Sequence, residues 1–206
     1  MDVKTAVETK TITLQGSAQI VKDLFYYSIN NILFQREIYP SDTFCRVKKW
    51  NVTLMTSTDK KVKAYLDSLL KQIEVWLATK ELKKLVVAIV SVESDETLEK
   101  WEFDIETDNE ISVDGPVTSK KYDEESVRNQ IGVVIRQITA SVSFLPLLKD
   151  RCVFDIMAFT GNSSVPNSEW EATKDRVIKN AETTVFRDCN TGVHNVKTKV
   201  QYQIDP

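Results

Sequence analysis

Few side chains in this chain could do chemistry, and their spacing suits it poorly. Nucleophilic catalysis needs a base beside the nucleophile. The one histidine, His194, lies near the C-terminal end with no Ser-rich elbow or cysteine motif to go with it, so it reads as structural rather than catalytic. Cys45, Cys152 and Cys189 are odd in number and far apart, with no C-x-x-C pair. They read as reduced thiols of an intracellular, metal-free chain, neither a disulfide set nor a zinc site. Carboxylates can work as an acid–base pair, and Asp104 and Glu106 would share one strand face. Nothing apolar beside them would raise one pKa above the other, so a solvated face is the better reading. No Gly-rich phosphate loop or calcium loop occurs. The residues point to a binder that needs no cofactor; a hydrolase or transferase using acidic residues is the rival class.

Whatever is bound must be presented by the fold. At 206 residues, 42% hydrophobic, with five Gly and five Pro, the chain can bury one core, and a single domain over residues 1–206 is expected. A net charge of −3 gives no basic field for a phosphate backbone, which argues against nucleic acid. Residues 1–10 lack the apolar core of a signal peptide, and the aliphatic run 85–90 is too short to cross a bilayer, so no membrane insertion is expected.

The stretch with the most information is 127–148, which carries only two charges, Arg128 and Arg136. Its first nineteen residues read as a central helix. Asp123 can cap it, Glu124 and Glu125 suit its positive end, and Pro146 stops it after Leu145. Val127, Ile131, Val134, Ile135, Ile138, Val142 and Leu145 form one buried stripe. A second row, Gly132, Arg136, Thr139 and Ser143, is small or polar. A third sets Val133, Gln137, Ala140 and Phe144 side by side. Three such faces imply more than one contact surface.

Earlier in the chain, residues 10–15 alternate as a short strand after a polar arm. Ser17 can cap a core helix carrying Ile20, Val21, Leu24, Phe25, Ile29, Ile32 and Leu33, which ends within 36–40. After a polar connection, 50–55 reads as a strand. Thr58 or Asp59 caps a helix bearing Val62, Tyr65, Leu66, Leu69, Ile73, Trp76 and Leu77. Residues 82–92 are too apolar for a strand with a wet face and read as central, followed by an alternating neighbour over 101–106. Residues 107–122 read as a loop, 151–160 as a strand apolar on both faces, and 160–180 as a polar segment with an isolated Trp170. Residues 183–194 and 196–204 read as two final strands. The pattern is an α+β domain with three helices on one face of a mainly antiparallel sheet.

Three stretches go further together: ITLQGSAQIV at 12–21, INNILFQREIYP at 29–40 and VIRQITASVSFLPLL at 134–148. With EKWEFDIE at 99–106 and CVFDIM at 152–157, they resemble the HORMA-domain family, and within it the spindle-checkpoint members, over 12–204. The resemblance implies an adaptor with open and closed conformers. An arm at 1–11 and a core at 12–160 precede a mobile C-terminal seat belt at 161–206, which closes over a peptide lying on a sheet edge. That edge would be Cys152, Val153, Phe154, Asp155, Ile156, Met157 and Ala158, a ready template for strand addition. The belt would use Trp170, Val185, His194, Val196, Thr198, Val200, Tyr202 and Ile204; read without the family, the same residues are permanent strands. The small-residue row of the 127–145 helix would lie near the peptide. Arg136, Gln137 and Phe144 would form the surface for self-dimerisation of open with closed molecules and for regulators; otherwise they are ordinary surface residues.

The partners implied are a coiled-coil checkpoint anchor and the WD-repeat co-activator of the anaphase-promoting complex. A BUB-related checkpoint kinase and a comet protein with its AAA+ remodelling ATPase complete the set. The implied locations are nucleus, cytoplasm, unattached kinetochores and the nuclear envelope. Adaptors of translesion polymerases or of the meiotic chromosome axis are the alternative within the family. Two departures stand out: Glu37 replaces the usual Gly of an Arg-Gly-Ile-Tyr-Pro turn, and 187–196 loses a Phe and a Lys of the belt pattern.

Overall fold

The computed structural model describes residues 10–113, 119–161 and 170–204. In order these form β1 (Thr11–Thr13), α1 (Leu14–Gln35), β2 (Phe44–Lys49), β3 (Val52–Ser57), α2 (Lys60–Ala78), β4 (Leu82–Ser91) and β5 (Thr97–Thr107). Then come β6 (Ser119–Lys121), α3 (Glu124–Ala140), β7 (Cys152–Thr160), β8 (Ala181–Val185), β9 (Cys189–Asn190) and β10 (His194–Gln203). The main sheet runs β7-β4-β5-β10-β8, with β9 beside β10; β1–β6 and β2–β3 are separate pairs, and every described pairing is antiparallel. Of the expected N-terminal arm, residues 1–9 lie outside the described residues, as do 162–169 of the belt segment.

Alternation decides which face of each strand meets the helices. Leu85, Val87 and Ile89 of β4, with Trp101, Phe103 and Ile105 of β5, join all three helices in one core. Val86, Ala88 and Val90 form a second cluster with Met157 on the helix-free face, so β4 is apolar on both sides as its sequence requires.

The centre of the helix layer is α1, not α3. It packs against both other helices and buries Val21, Leu24, Phe25, Ile29, Ile32 and Leu33. Its cap is Thr13, whose hydroxyl accepts from the Gly16 amide at 3.1 Å; the expected cap, Ser17, is fully buried one turn inside. Ile38 N–H bonds the Leu33 carbonyl and Glu37 N–H that of Phe34, a left-handed C-terminal cap. Glu37 takes φ +52° there, keeping the turn that glycine would take without strain.

Asp123 caps α3 as predicted, and of the two cap candidates for α2 it is Asp59 and not Thr58 that serves, each aspartate accepting from amides of the first turn. However, α3 stops at Ala140 and tightens into a 3-10 turn over Ser141–Ser143. The Ser141 and Ser143 hydroxyls donate to the carbonyls of Ile138 and Ala140, competing with the helical ladder. Val142 is consequently turned out to 46% exposure, off the stripe it was assigned to. The polar connection before residue 50 is in fact β2. Trp50 and Asn51 occupy the hairpin turn with φ of 50° and 56°, the doubly positive geometry that suits the twist of two strands. At the C-terminal end the first strand is only five residues, and His194 begins β10 rather than ending its predecessor. The loop 107–122 closes with β6 against β1.

Candidate peptide-binding edge

β7 ends the main sheet. It pairs with β4 from Leu82↔Thr160 to Ser91↔Cys152, and among the described residues no strand lies on its other side. Phe154, Ile156 and Ala158 face the helices, whereas Asp155 and Met157 face away. Val153 is half exposed, Ile156 and Met157 are buried, and Cys152 is partly covered. The Phe154 ring sits edge-on to Tyr39 at 6.1 Å and to Tyr65 at 5.8 Å.

The helix beside this edge is α2. A groove of about 570 Å³ runs between Ala64, Tyr65, Ser68 and Leu69 of α2 and Asp155 and Ile156 of β7; Trp170, Glu171 and Thr173 close it. The small-residue row of α3 lies elsewhere: a Cβ on Gly132 would meet the Trp50 carbonyl at 3.3 Å and the Arg136 guanidinium at 3.4 Å. Gly132, at the start of that row, therefore faces the β2–β3 turn. Val142, in the turn that ends α3, instead shares a second groove with Cys152 and Val153 of β7.

The chain at 170–180 forms a strap. On the helix side, Trp170 stacks edge-on to the buried Trp76 at 5.0 Å. On the other face, Asp175 meets Lys100 at 2.9 Å, and Arg176 Nε donates to Asp155 at 3.2 Å. Five residues, spanning at most about 17 Å, thus carry the chain from one side of a sheet to the other. Because Glu171 and Thr173 line the β7 groove, the passage is around the outside of β7. The strap is an extended segment pinned at both ends with the bare edge beneath it.

Beyond the strap, β10 lies against β5 from His194↔Thr107 to Tyr202↔Glu99. Its inward residues His194, Val196, Thr198, Val200 and Tyr202 are all buried. Val185 and Ile204 are exposed at 69% and 45% and contribute no core. On the helix-free face, Lys84, Lys100 and Lys199 surround Glu102 at 3.4, 3.2 and 3.0 Å. Burial pushes the Glu102 carboxyl up, but hydrogen bonds from Lys199 and Lys100 outweigh it and hold the group below the usual range. Asp104 pairs with Lys199 and Glu106 with Lys197, so the two carboxylates singled out by sequence face lysines and make no acid–base pair with each other.

His194 is fully buried where β10 passes between the ends of two helices. Burial drives its pKa down to about 4, only partly opposed by the Leu77 carbonyl, with Lys80 adding to the fall. It is a neutral group at physiological pH. Burial likewise raises the Cys189 thiol to about 12, which removes it as a nucleophile.

Residues of the predicted docking surface meet the belt. The Gln137 side-chain oxygen accepts from the Arg187 amide at 2.8 Å, and the Phe144 ring lies 6.1 Å from that of Tyr202 while remaining half exposed. Arg136 is exposed and has no ion-pair partner among the described residues. Sequence reasoning missed Gln130, whose oxygen accepts from the Asn190 amide at 2.8 Å. The seven-residue spacing of two glutamines on one helix face was a signal for it. Ser17 and Trp76 were hidden as a supposed cap and a core residue.

These features define a class. The HORMA-domain family model matches residues 17–194, and the chain belongs to that family. It is 42% identical over 193 residues to the human mitotic spindle assembly checkpoint protein MAD2A, covering 94% of this chain and 93% of that one. It is 40% identical over 203 residues to MAD2A of Dictyostelium discoideum, covering 98% of each. A chain in the crystal structure of the mitotic checkpoint complex superposes with a TM-score of 0.83 at 33% identity, over 92% of this chain and all of that one. The relatives place this chain among spindle-checkpoint proteins.

Proposed function

We propose that this protein is a spindle-assembly-checkpoint adaptor that captures a short extended peptide on the outer edge of β7, beneath the 170–180 strap. The peptide comes from the coiled-coil kinetochore anchor or from the WD-repeat co-activator of the anaphase-promoting complex. Capture of the co-activator restrains that ubiquitin ligase and delays anaphase. The observation that carries this reading is the bare edge enclosed by a strap. A strand added there gains main-chain hydrogen bonds from β7, side-chain contacts from the α2 groove, and a cover that must lift before it can leave.

The protein works by binding, with no turnover, and passes between an open and a closed arrangement of its belt. Reversing a 1:99 population requires about 5.5 kcal/mol of differential affinity, within reach of a peptide locked under a strap. Exchange is slow because strands must leave and rejoin the sheet. Arg136, Gln137 and Phe144 receive a second copy, the BUB-related kinase or the comet protein with its ATPase. The protein acts at unattached kinetochores and in the nucleus, its envelope and the cytoplasm.

Pull-down from mitotically arrested extract is expected to recover the co-activator and the coiled-coil anchor. Recovery of translesion-polymerase or chromosome-axis proteins in their place would overturn the checkpoint reading. Trp170→Ala is expected to weaken a fluorescent co-activator peptide at least about tenfold, the loss of one aromatic anchor; unchanged affinity would remove the strap from the mechanism.

A further inference from the structure

The belt can function only if β10 sits on β5 in one register, and most of its residues do not specify that register. Inward-facing His194, Val196, Thr198, Val200 and Tyr202 alternate with outward-facing Lys197 and Lys199. A shift of one residue would turn the apolar set to solvent and is excluded. A shift of two, about 6.7 Å, would not. It would set Val196 opposite Thr107, Thr198 opposite Ile105, Val200 opposite Phe103 and Tyr202 opposite Trp101, all still facing the core. Lys197 and Lys199 would fall opposite Glu106 and Asp104, the carboxylates they already reach at 2.6 and 2.9 Å. Thr198 offers no discrimination, since its buried hydroxyl has no hydrogen-bond partner. The hydrophobic pattern and the charge pattern are both degenerate to this slip.

His194 is not degenerate. Its Nε2 lies 3.3 Å from the Leu77 carbonyl at the end of α2, and its Nδ1 lies 2.7 Å from the Ser17 hydroxyl in α1. A carbonyl only accepts, so Nε2 carries the proton and Nδ1 accepts from Ser17. With its proton committed, Ser17 receives the bond from Thr191, whose hydroxyl is 2.5 Å away. Thr191 in turn accepts from the His194 amide at 2.9 Å. The Thr191 hydroxyl also lies 3.2 Å from the His194 carbonyl, a second acceptor for its proton, and the whole cluster is buried. A two-residue slip would carry the imidazole out of this seat, breaking both of its hydrogen bonds and taking its acceptor from the buried Ser17 hydroxyl, the costly outcome for a buried polar group; the Leu77 carbonyl would keep the Lys80 amide as donor. The contacts of Gln130 and Gln137 with the β8–β9 connection are exposed, where an amide exchanges with water at little net cost.

We propose that the Ser17–His194–Leu77 cluster is the register key of the belt, the positioning contact that selects one of two otherwise equivalent pairings of β10 on β5. Its use at each closure rests on the capture reading above. The register itself does not, and its test needs no peptide.

The test is disulfide trapping in the full chain carrying Cys45→Ser and Cys152→Ser. Asp104→Cys is combined with Lys197→Cys to report the native register and with Lys199→Cys to report the slipped one. A diagonal pair lies about 7–8 Å apart, beyond disulfide reach, so the two reporters are exclusive. With His194 present, the 104–197 crosslink should dominate. His194→Val should raise the ratio of 104–199 to 104–197 product at least about tenfold, the effect of losing more than one buried hydrogen bond. His194→Gln, whose amide can donate to Leu77 and accept from Ser17, should restore the native ratio. An unchanged ratio in His194→Val would overturn the proposal; so would loss of the native crosslink without gain of the slipped one, which marks a tether and not a key. If His194→Val fails to fold, Ser17→Ala must raise the ratio at least about threefold, and an unchanged ratio there overturns it.

Discussion

The two ends of the main sheet are held by different physics. At the β7 end, the strap is tied by Arg176 to Asp155, by Lys179 to Glu96 and by Asp175 to the buried Lys100, with Trp170 as its one aromatic anchor and Ile178 as its one buried aliphatic side chain. An exposed pair such as Lys179–Glu96 is worth about 0–1 kcal/mol. At the other end, β10 inserts between β5 and β8, buries Val196 and Val200 completely, and adds the His194 cluster. The difference teaches which motion is easy. The strap can lift without opening the sheet, whereas β10 cannot leave without opening the core around Trp101 and Phe103. On the proposed function, peptide entry under a lifted strap and wholesale rearrangement of the belt would be separate events.

Four measurements can break or sharpen this contrast. Val200→Asp places a charge against Trp101 and should cost more than about 4 kcal/mol in urea denaturation; a loss under about 1 kcal/mol would mean that β10 is no more firmly held than the strap. Lowering the pH should act on the same end. The folded pKa of His194 lies near 4, below its unfolded value, so the stabilisation is complete above about pH 6.5 and falls away as pH drops towards 4. The loss should approach roughly 3 kcal/mol, and His194→Gln should remove it, leaving the opposite-signed contribution of Glu99, whose carboxyl burial pushes up. At the strap, Arg176→Ala should change global stability by less than about 1 kcal/mol while speeding peptide dissociation several-fold in a stopped-flow chase; an unchanged off-rate would show that the strap does not gate release. Smallest in stability is Arg136→Glu, expected within about 0.5 kcal/mol of the parent as a surface change. It should still abolish self-association in sedimentation without weakening peptide binding. Loss of both would mean that the α3 surface and the β7 edge are not independent.

The α3 face illustrates how far local pattern carries. Its three rows were legible from periodicity, and the buried stripe from Val127 to Ile138 is as expected. What each remaining row touches was not legible. Gly132 packs by the β2–β3 turn, Gln137 accepts from the Arg187 amide, and Val142 lies beside Cys152 and Val153 of β7. The β2 hairpin strand was missed because only Phe44 and Val47 are covered, which leaves no alternation strong enough to register. Ser17 was misassigned because a serine after glycine has the local chemistry of a cap, whereas its real partner is 177 residues away.

Sequence alone determined the features that depend on neighbours within a turn or a strand. These are the capping aspartate Asp123, a cap for α2 at Thr58 or Asp59, the doubly apolar β4, the alternation of β5 and β10, and the scarcity of catalytic groups. Only the tertiary structure decided that β10 pairs with β5 and leaves β7 bare, that α1 and not α3 is central, and that His194 bridges two helices. The physical reason is that the apolar and charged patterns of β10 fit more than one partner and more than one register. The choice falls to buried polar contacts between residues far apart in the chain, which no local pattern encodes.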